Sequence, residues 1–479
     1  MGCLGFQNVG EFVLFITSIM SGMVILLGMN AVNSTPQFMI DYYKYIKNDK
    51  DAVADYPQFW MNVLTYYTIV TEVSQAVLQP LNLIPFFRRF SYLFRLELGS
   101  LIALGEILII LLMPHASTPE SGAVVGVLIA AFIGGLGRAV FENTVFALFG
   151  TCPSRTVVGA MVGLPASGAI MSLVQIILLG SMAGDFNSIL KQSVIYFSIG
   201  IAIIFVSSSL LLCLFFNSFA KNYIPELRST RSAWKNIYRP LRLSDDTLRS
   251  QTVGNAPEDG NAPTLHRTRN ALVASPDSDA VGSVVTESKE EPNSMLETDS
   301  NEEPAGLIST ELLQRVSLWH VVKKIYPMQI ACFLNFFVTL LIYPGVFLAV
   351  DRLDSWYTTL VIAIFNFTDL ASRMVLVSEK LKISRKAVLI LSIVRIVLVP
   401  LVVLCGYHKI PGKAAPYIFT GLMGLTSGYV GTLTMIYAPT TPGLKGNGEQ
   451  AMAAQACDGA LMLGCSLGAL SQLGVVLAF

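Results

Sequence analysis

The sequence predicts an all-α, polytopic membrane protein with eleven transmembrane helices in a six-plus-five arrangement. Three observations predict it. Of the 479 residues, 53% are hydrophobic and only 13% charged, against roughly a quarter charged in an ordinary soluble domain, so the apolar surface exceeds what a water-soluble core can hide. A helix needs roughly twenty mostly apolar residues to cross a bilayer, and the chain contains eleven such runs. One long polar insert separates the first six from the last five.

The first six runs lie at about 12–31, 59–83, 96–113, 123–148, 157–179 and 194–216, and the last five at about 325–350, 356–377, 387–405, 417–437 and 451–479. Residues 1–216 are therefore expected to form one six-helix bundle and residues 318–479 a five-helix bundle. The insert, 217–317, opens with basic positions (Lys221, Arg228, Arg231, Lys235, Arg239, Arg242) and continues as a Ser, Asp, Glu, Asn and Pro stretch without apolar period. Such a composition cannot offset its chain entropy, so about 243–305 is expected to be a disordered tether. The first apolar run is too long, and lacks the basic flank, for a cleavable signal peptide. It is taken as span one.

Orientation follows from lysine and arginine in short loops. Arg88, Arg89 and Arg95 follow span two, Arg155 follows span four, and Lys380, Lys382, Arg385 and Lys386 follow span eight. These loops, the 217–317 loop and the amino terminus are expected to be cytoplasmic, with Phe479 outside. In the long first loop, Lys44, Lys47 and Lys50 are offset by Asp41, Asp49, Asp51 and Asp55. Net charge is zero, so no clustered basic face points to nucleic acid. The seven cysteines form no CxxC pair and the four histidines fall in loops or at span ends, which argues against a disulfide framework, a metal site or a cofactor. The start MGCLGF lacks the Ser or Thr of an acylation signal at Phe6, and the sequon Asn33-Ser34-Thr35 sits too close to span one for ready glycosylation.

Charges inside apolar runs carry the functional signal. Asn366, Asp369 and Arg373 in FNFTDLASRM are spaced i, i+3, i+7 on one face of span eight, with the acid four before the base, the favourable order for an ion pair. A charge at bilayer depth costs on the order of 3 kcal/mol on insertion scales and faces the bundle interior or a wet cavity. Span four repeats the spacing with Arg138 and Glu142 in the less favourable order, which suggests that each serves another helix or a ligand. Glu72 and Gln75 in span two, Glu106, Asn335, Arg395, Gln455 and Asp458 add polar groups at depth. Together they describe a hydrated central route, although each alone is equally an interhelical hydrogen bond. Gly159, Gly163 and Gly168 with Pro165 in span five, and Gly421, Gly424, Gly428 and Gly431 in span ten, allow close packing or flexing. Tyr343 with Pro344, and Pro400 in span nine, are candidate kinks. Phe365, Phe367, Tyr343, Tyr66, Tyr67 and Tyr429 are the aromatic residues nearest the polar positions.

Several stretches together resemble the equilibrative nucleoside transporter family. FNFTDLASR is similar to its FNxxDxxGR, with Asn366, Asp369 and Arg373 matching and Ser372 replacing the glycine. IVRIVLVPLVVLC is similar to ARxxxxPLxxLC through Arg395, Pro400 and Cys405, and SGYVGTLTMIYAP, with Gly428, resembles the tenth-span NGY segment with Ser427 for its asparagine. ENTVFALFGTCPSRT resembles QxSLFGLxGLLPxxYT, MVGLPASG places Gly163 and Gly168 on the glycines of MSGQGLAG, and LLGMNA aligns Leu26 and Asn30 with LLPWN. The resemblance implies a fold like the major facilitator superfamily around a midplane site for purine or pyrimidine nucleosides or nucleobases. It also implies substrate contact by Glu142, Asp369 and Arg373.

Departures are Glu142 where glutamine is usual, Met29 for a tryptophan, and Leu164-Pro165 for glutamine-glycine. A titratable Glu142 resembles the protozoan branch, in which purine uptake can be proton-coupled. The resulting expectation is a purine nucleoside or nucleobase transporter working by alternating access, with proton coupling open. Asp369 and Arg373 meet the polar edges of ring or sugar, Glu142 and Arg138 stand opposite, Asn30 and Asn366 orient, and Leu26 lines the site. Gly163, Gly168, Tyr343, Pro344 and Gly428 serve gating or packing. No GxxxxGK[ST] is present for ATP. A carrier of another small polar solute, such as a sugar or amino acid, is the alternative. An intramembrane protease is disfavoured because no GxGD-type aspartate pair occurs.

Overall fold

The computed structural model describes residues 6, 8–80, 90–116, 118–150, 152–182, 186–224, 227, 317–444 and 446–478. Outside the described residues lie the first five positions, Arg88, Arg89, His266, the basic positions Arg228–Arg242, the 243–305 stretch expected to be disordered, and Phe479.

The regular elements among the described residues are helices. The long ones are α1 (Val9–Asn33), α2 (Val63–Leu78), α3 (Tyr92–Leu112), α4 (Glu120–Phe149), α5 (Ser154–Ser181), α6 (Phe186–Cys213), α7 (Leu318–Ile342), α8 (Ser355–Val375), the interrupted α9 (Arg385–Val394 and Leu398–Gly406), α10 (Ala414–Tyr437) and α11 (Gly446–Val476). Among the described residues nine helices are long and apolar enough to cross a membrane. The other two expected spans correspond to α2 and α10. The protein is a multi-pass membrane protein.

Local chemistry sets where these helices begin. Asn8, Ser91, Asp354 and Ser384 cap α1, α3, α8 and α9 by accepting from backbone N–H groups of the first turn, which satisfies donors that have no partner inside the helix. In α9 a 3-10 turn at Arg395–Val397 precedes Pro400, because proline offers no N–H to the carbonyl four residues back. Pro344 follows the end of α7, and the Tyr343–Pro344 peptide is cis.

Packing then follows the small residues. α1 lies against α5 where Gly163 meets the Ile19 carbonyl, and α8 against α10 where Gly428 meets Asp369 and Ser372. A Cβ at either glycine would collide, so only glycine permits these approaches. Helices from the two sequence halves meet as α5 with α8 and as α2 with α11.

The two ends of the bundle differ. At one end the segment between α1 and α2, expected as a long loop up to about residue 59, folds into short helices Pro36–Ile40, Tyr42–Lys47 and Pro57–Met61, and the second span's helix starts at Val63. Tyr42 donates to the Ile110 carbonyl at 2.6 Å, Trp60 donates to Glu120 at 2.8 Å, and Lys47 pairs with Glu120 at 2.7 Å. Arg352 donates to Asn62 at 3.0 Å and Ser355 to Gln37 at 3.3 Å, tying this cap to the α7–α8 connection. Lys413 sits between Asp351 and Asp354, and its hydrogen bonds to them raise its pKa. Asn33 of the sequon is buried beneath the cap. The opposite end carries residues 224 and 317, the flanks of the polar insert.

Candidate functional site

The α2, α4 and α8 helices turn their polar stripes to a common interior. Thr68, Glu72, Gln75 and Gln79 recur every three or four residues on α2, so they share one face. Arg138 and Glu142 lie one turn apart on α4, as do Asp369 and Arg373 on α8. All seven residues expected to contact substrate line one interior cavity of about 90 Å³: Leu26, Asn30, Arg138, Glu142, Asn366, Asp369 and Arg373. Tyr343, Pro344, Met29, Glu72, Pro165, Thr339 and Ser427 line it too.

The two arginines are paired in different ways. Arg373 bonds its own helix neighbour, with Nη2 3.1 Å and Nε 3.2 Å from Asp369 Oδ2, and its Nη1 also donates to the Met161 carbonyl at 3.3 Å. Arg138 does not bond Glu142. Instead its Nη1 lies 2.7 Å from Glu72 on α2, and Glu142 accepts from Gln75 at 2.5 Å. Asn30 donates to Ser167 and Asn366 to Ser172, each at 2.9 Å, so both amides are anchored on α5. The cavity therefore presents two guanidiniums and three carboxylates held from behind.

Several of these groups keep unused capacity. Asp369 Oδ1, Glu72 Oε2, Arg138 Nε, Asn33 Oδ1 and Thr68 Oγ1 are buried without a hydrogen-bond partner among the described residues. Buried polar atoms are otherwise almost always bonded. Orphaned donors and acceptors clustered around one space suit a ligand with both kinds of edge. An aromatic wall completes it: Tyr343 and Phe365 stack at 3.8 Å between ring centroids with planes 17° apart. Arg395 stands behind Thr339, donating to it and to the Asn335 carbonyl at 2.8 Å each, and Thr339 meets Ser427 at 3.1 Å.

Against this geometry, the nucleoside transporter family matches residues 128–477. The chain belongs to the nucleoside transporter family. It is 35% identical to nucleoside transporter 2 of Leishmania donovani, over 99% of this chain and 96% of that one. It is 34% identical to nucleoside transporter 2 of Crithidia fasciculata over the same shares, and 30% identical to adenosine transporter 1 of Crithidia fasciculata over 96% and 92%. The fold is similar to that of the major facilitator superfamily proton:xylose symporter XylE, with a TM-score of 0.57 at 11% identity, covering 97% of this chain and 88% of that one. The family is one of membrane transporters and not of enzymes.

In this transporter the packing candidates take separate places. Gly163 faces α1, Gly428 lies against Asp369, and Gly168 leaves room for the Asn366 side chain, 2.7 Å from where a Cβ would sit. Of the six aromatic residues expected near the polar positions, only Tyr343 and Phe365 line the cavity. Phe367 is exposed, Tyr66 stacks on Phe59, Tyr67 is buried against Glu106, and Tyr429 bonds the Leu381 carbonyl. Sequence reasoning missed Thr339 and Ser427 as cavity wall, because neutral hydroxyls inside an apolar run give little signal. A second, larger cavity of about 840 Å³ lies along α2, α4, α7 and α11 toward the end that carries residues 224 and 317.

Proposed function

We propose that the chain carries purine nucleosides or nucleobases across the plasma membrane by alternating access, with its amino terminus and its 217–317 loop in the cytoplasm and its carboxyl terminus outside. The observation that supports this best is the convergence of Asp369, Arg373, Glu142 and Arg138 on one cavity beside the Tyr343–Phe365 stack. A neutral heterocycle with donor and acceptor edges matches that set better than an ion does. The unpartnered Asp369 Oδ1 accepts a ring N–H, and the guanidinium of Arg373 or Arg138 donates to ring nitrogens or ribose hydroxyls. Asn30 and Asn366, already bonded to Ser167 and Ser172, orient the ligand. Anchoring them in advance lowers the ordering entropy of binding.

The cavity of about 90 Å³ is smaller than the roughly 300 Å³ at the low end of ligand pockets, so side chains must part to admit a purine. Closure at the Arg352–Asn62 end alternates, in this reading, with closure at the other. Proton coupling follows from charge. Arg138 and Arg373 balance Glu72 and Asp369, which leaves Glu142 as the surplus carboxylate among the groups lining the cavity. Its protonation makes the cavity neutral. Glu106, Asp458 and Arg395 are buried nearby and share the same field.

The test is uptake of labelled adenosine competed by nucleosides, nucleobases, a sugar and an amino acid. Purines should compete and the others should not, whereas competition by the sugar or the amino acid would replace the purine reading. Repeating the uptake across external pH with a protonophore tests the coupling, and insensitivity to both would remove the role given to Glu142.

A further inference from the structure

The central cavity and the 840 Å³ one lie along the same helical faces and share Met462. On α7, Phe336, Leu340 and Tyr343 line the first, while Val322, Gln329 and Phe333 line the second. On α2, Thr68 and Glu72 line the first, while Ala76 and Gln79 line the second, and Met462 of α11 borders both. The larger cavity adjoins the central one, and Leu318, Ile330 and Leu463 of its lining are exposed.

We infer that this inner cavity holds a second purine site, through which substrate passes between the central site and the cytoplasm. The inference rests on the purine reading above. Its lining decides the ligand class. Among the described residues it carries no charged side chain, but four amides, Gln79, Asn143, Gln329 and Gln455. Gln329 Nε2 already donates to the Ala456 carbonyl at 3.0 Å, which leaves its oxygen as acceptor. Among the described residues, Gln455 Oε1 is buried without a hydrogen-bond partner. Gln79 Nε2 is held by Asp458. Two acceptor oxygens in an apolar space beside Phe333, itself stacked on Phe337, suit a flat neutral ring that offers N–H groups. With no lysine or arginine among its described lining residues, the site favours the uncharged purine over its nucleotide. Binding is weaker than at the centre because neutral amides replace charge-assisted bonds.

Purified full-length protein in nanodiscs, titrated with adenosine, is expected to show a tight and a weak component. Asp369→Asn should remove the tight one. Gln329→Leu with Gln455→Leu should remove the weak one. In proteoliposomes that double variant should raise the KM for efflux roughly 30-fold, about fivefold for each of the two neutral hydrogen bonds lost, with the KM for influx unchanged. Should the double variant misfold, Gln455→Cys replaces it: adenosine is expected to slow maleimide labelling at concentrations above those that saturate the tight component. A single component in the wild type, an unchanged efflux KM, or labelling indifferent to adenosine would overturn the inner site, as would a map with a lipid chain filling the cavity. Absence of any adenosine binding would instead defeat the purine reading itself.

Discussion

The charged pairs on α4 and α8 share a four-residue spacing and reach opposite solutions. On α8 the acid precedes the base, and Asp369 and Arg373 close on each other within 3.1 Å. On α4 the base precedes the acid, and neither Arg138 nor Glu142 bonds the other; each reaches α2 instead, to Glu72 and Gln75. Side chains lean toward the helix amino terminus, so the order of charges decides how well an intrahelical pair can close. One pair is therefore self-contained and leaves an oxygen for a ligand. The other binds two helices together.

The largest effect should come from Arg373→Ala, which leaves Asp369 as an uncompensated buried carboxylate. Losing one partner of a buried pair costs about 3–5 kcal/mol, so adenosine uptake should fall more than 100-fold at equal surface expression. Asp369→Asn combined with Arg373→Gln should recover folding but not transport, which separates the charge balance from the contact. Next is Gly428→Ala. Its methyl group collides with Asp369 and Ser372, and overpacking of this kind costs about 1–3 kcal/mol, to be read as reduced initial uptake.

The comparison sharpens on Glu72→Gln. Because Glu72 and Arg138 tie α2 to α4, this variant should lower the thermal midpoint of the purified protein more than Asp369→Asn does, even though Asp369→Asn harms uptake more. Equal shifts would mean that the two pairs play the same part. Smallest is Arg352→Ala at the capped end, where Arg352 meets Asn62 on a partly buried rim. A single hydrogen bond of this kind contributes on the order of 1 kcal/mol net, so only a modest change in uptake rate is expected.

These outcomes bear on how much the sequence discloses. The spans were legible because a hydrophobic run of bilayer length can rarely be hidden from water except in a membrane, and observed helix ends such as Ser355–Val375 lie close to the expected 356–377. The charges at depth were legible because burial of Asp369 or Glu142 in lipid needs a partner or a cavity. Their partners were less so. That Arg138 pairs with Glu72 depends on the rotation of α2 against α4, which Gly135 permits by lying against Ser74 and the Thr71 carbonyl, and no local pattern states that rotation. The short helices between α1 and α2 were hidden for a similar reason. Trp60, Tyr42 and Lys47 are fixed by contacts to Glu120 and Ile110 at least sixty residues away.

The account depends on the cavity between α4 and α8 being where a purine binds. A cryo-EM map of the protein with adenosine tests this most directly. Density for the base is predicted beside Tyr343 and Phe365, with a ring N–H on Asp369 Oδ1 and Arg138 and Glu142 across from it. Adenosine bound elsewhere, with Asp369 and Arg373 sealed against each other and out of reach, would contradict it.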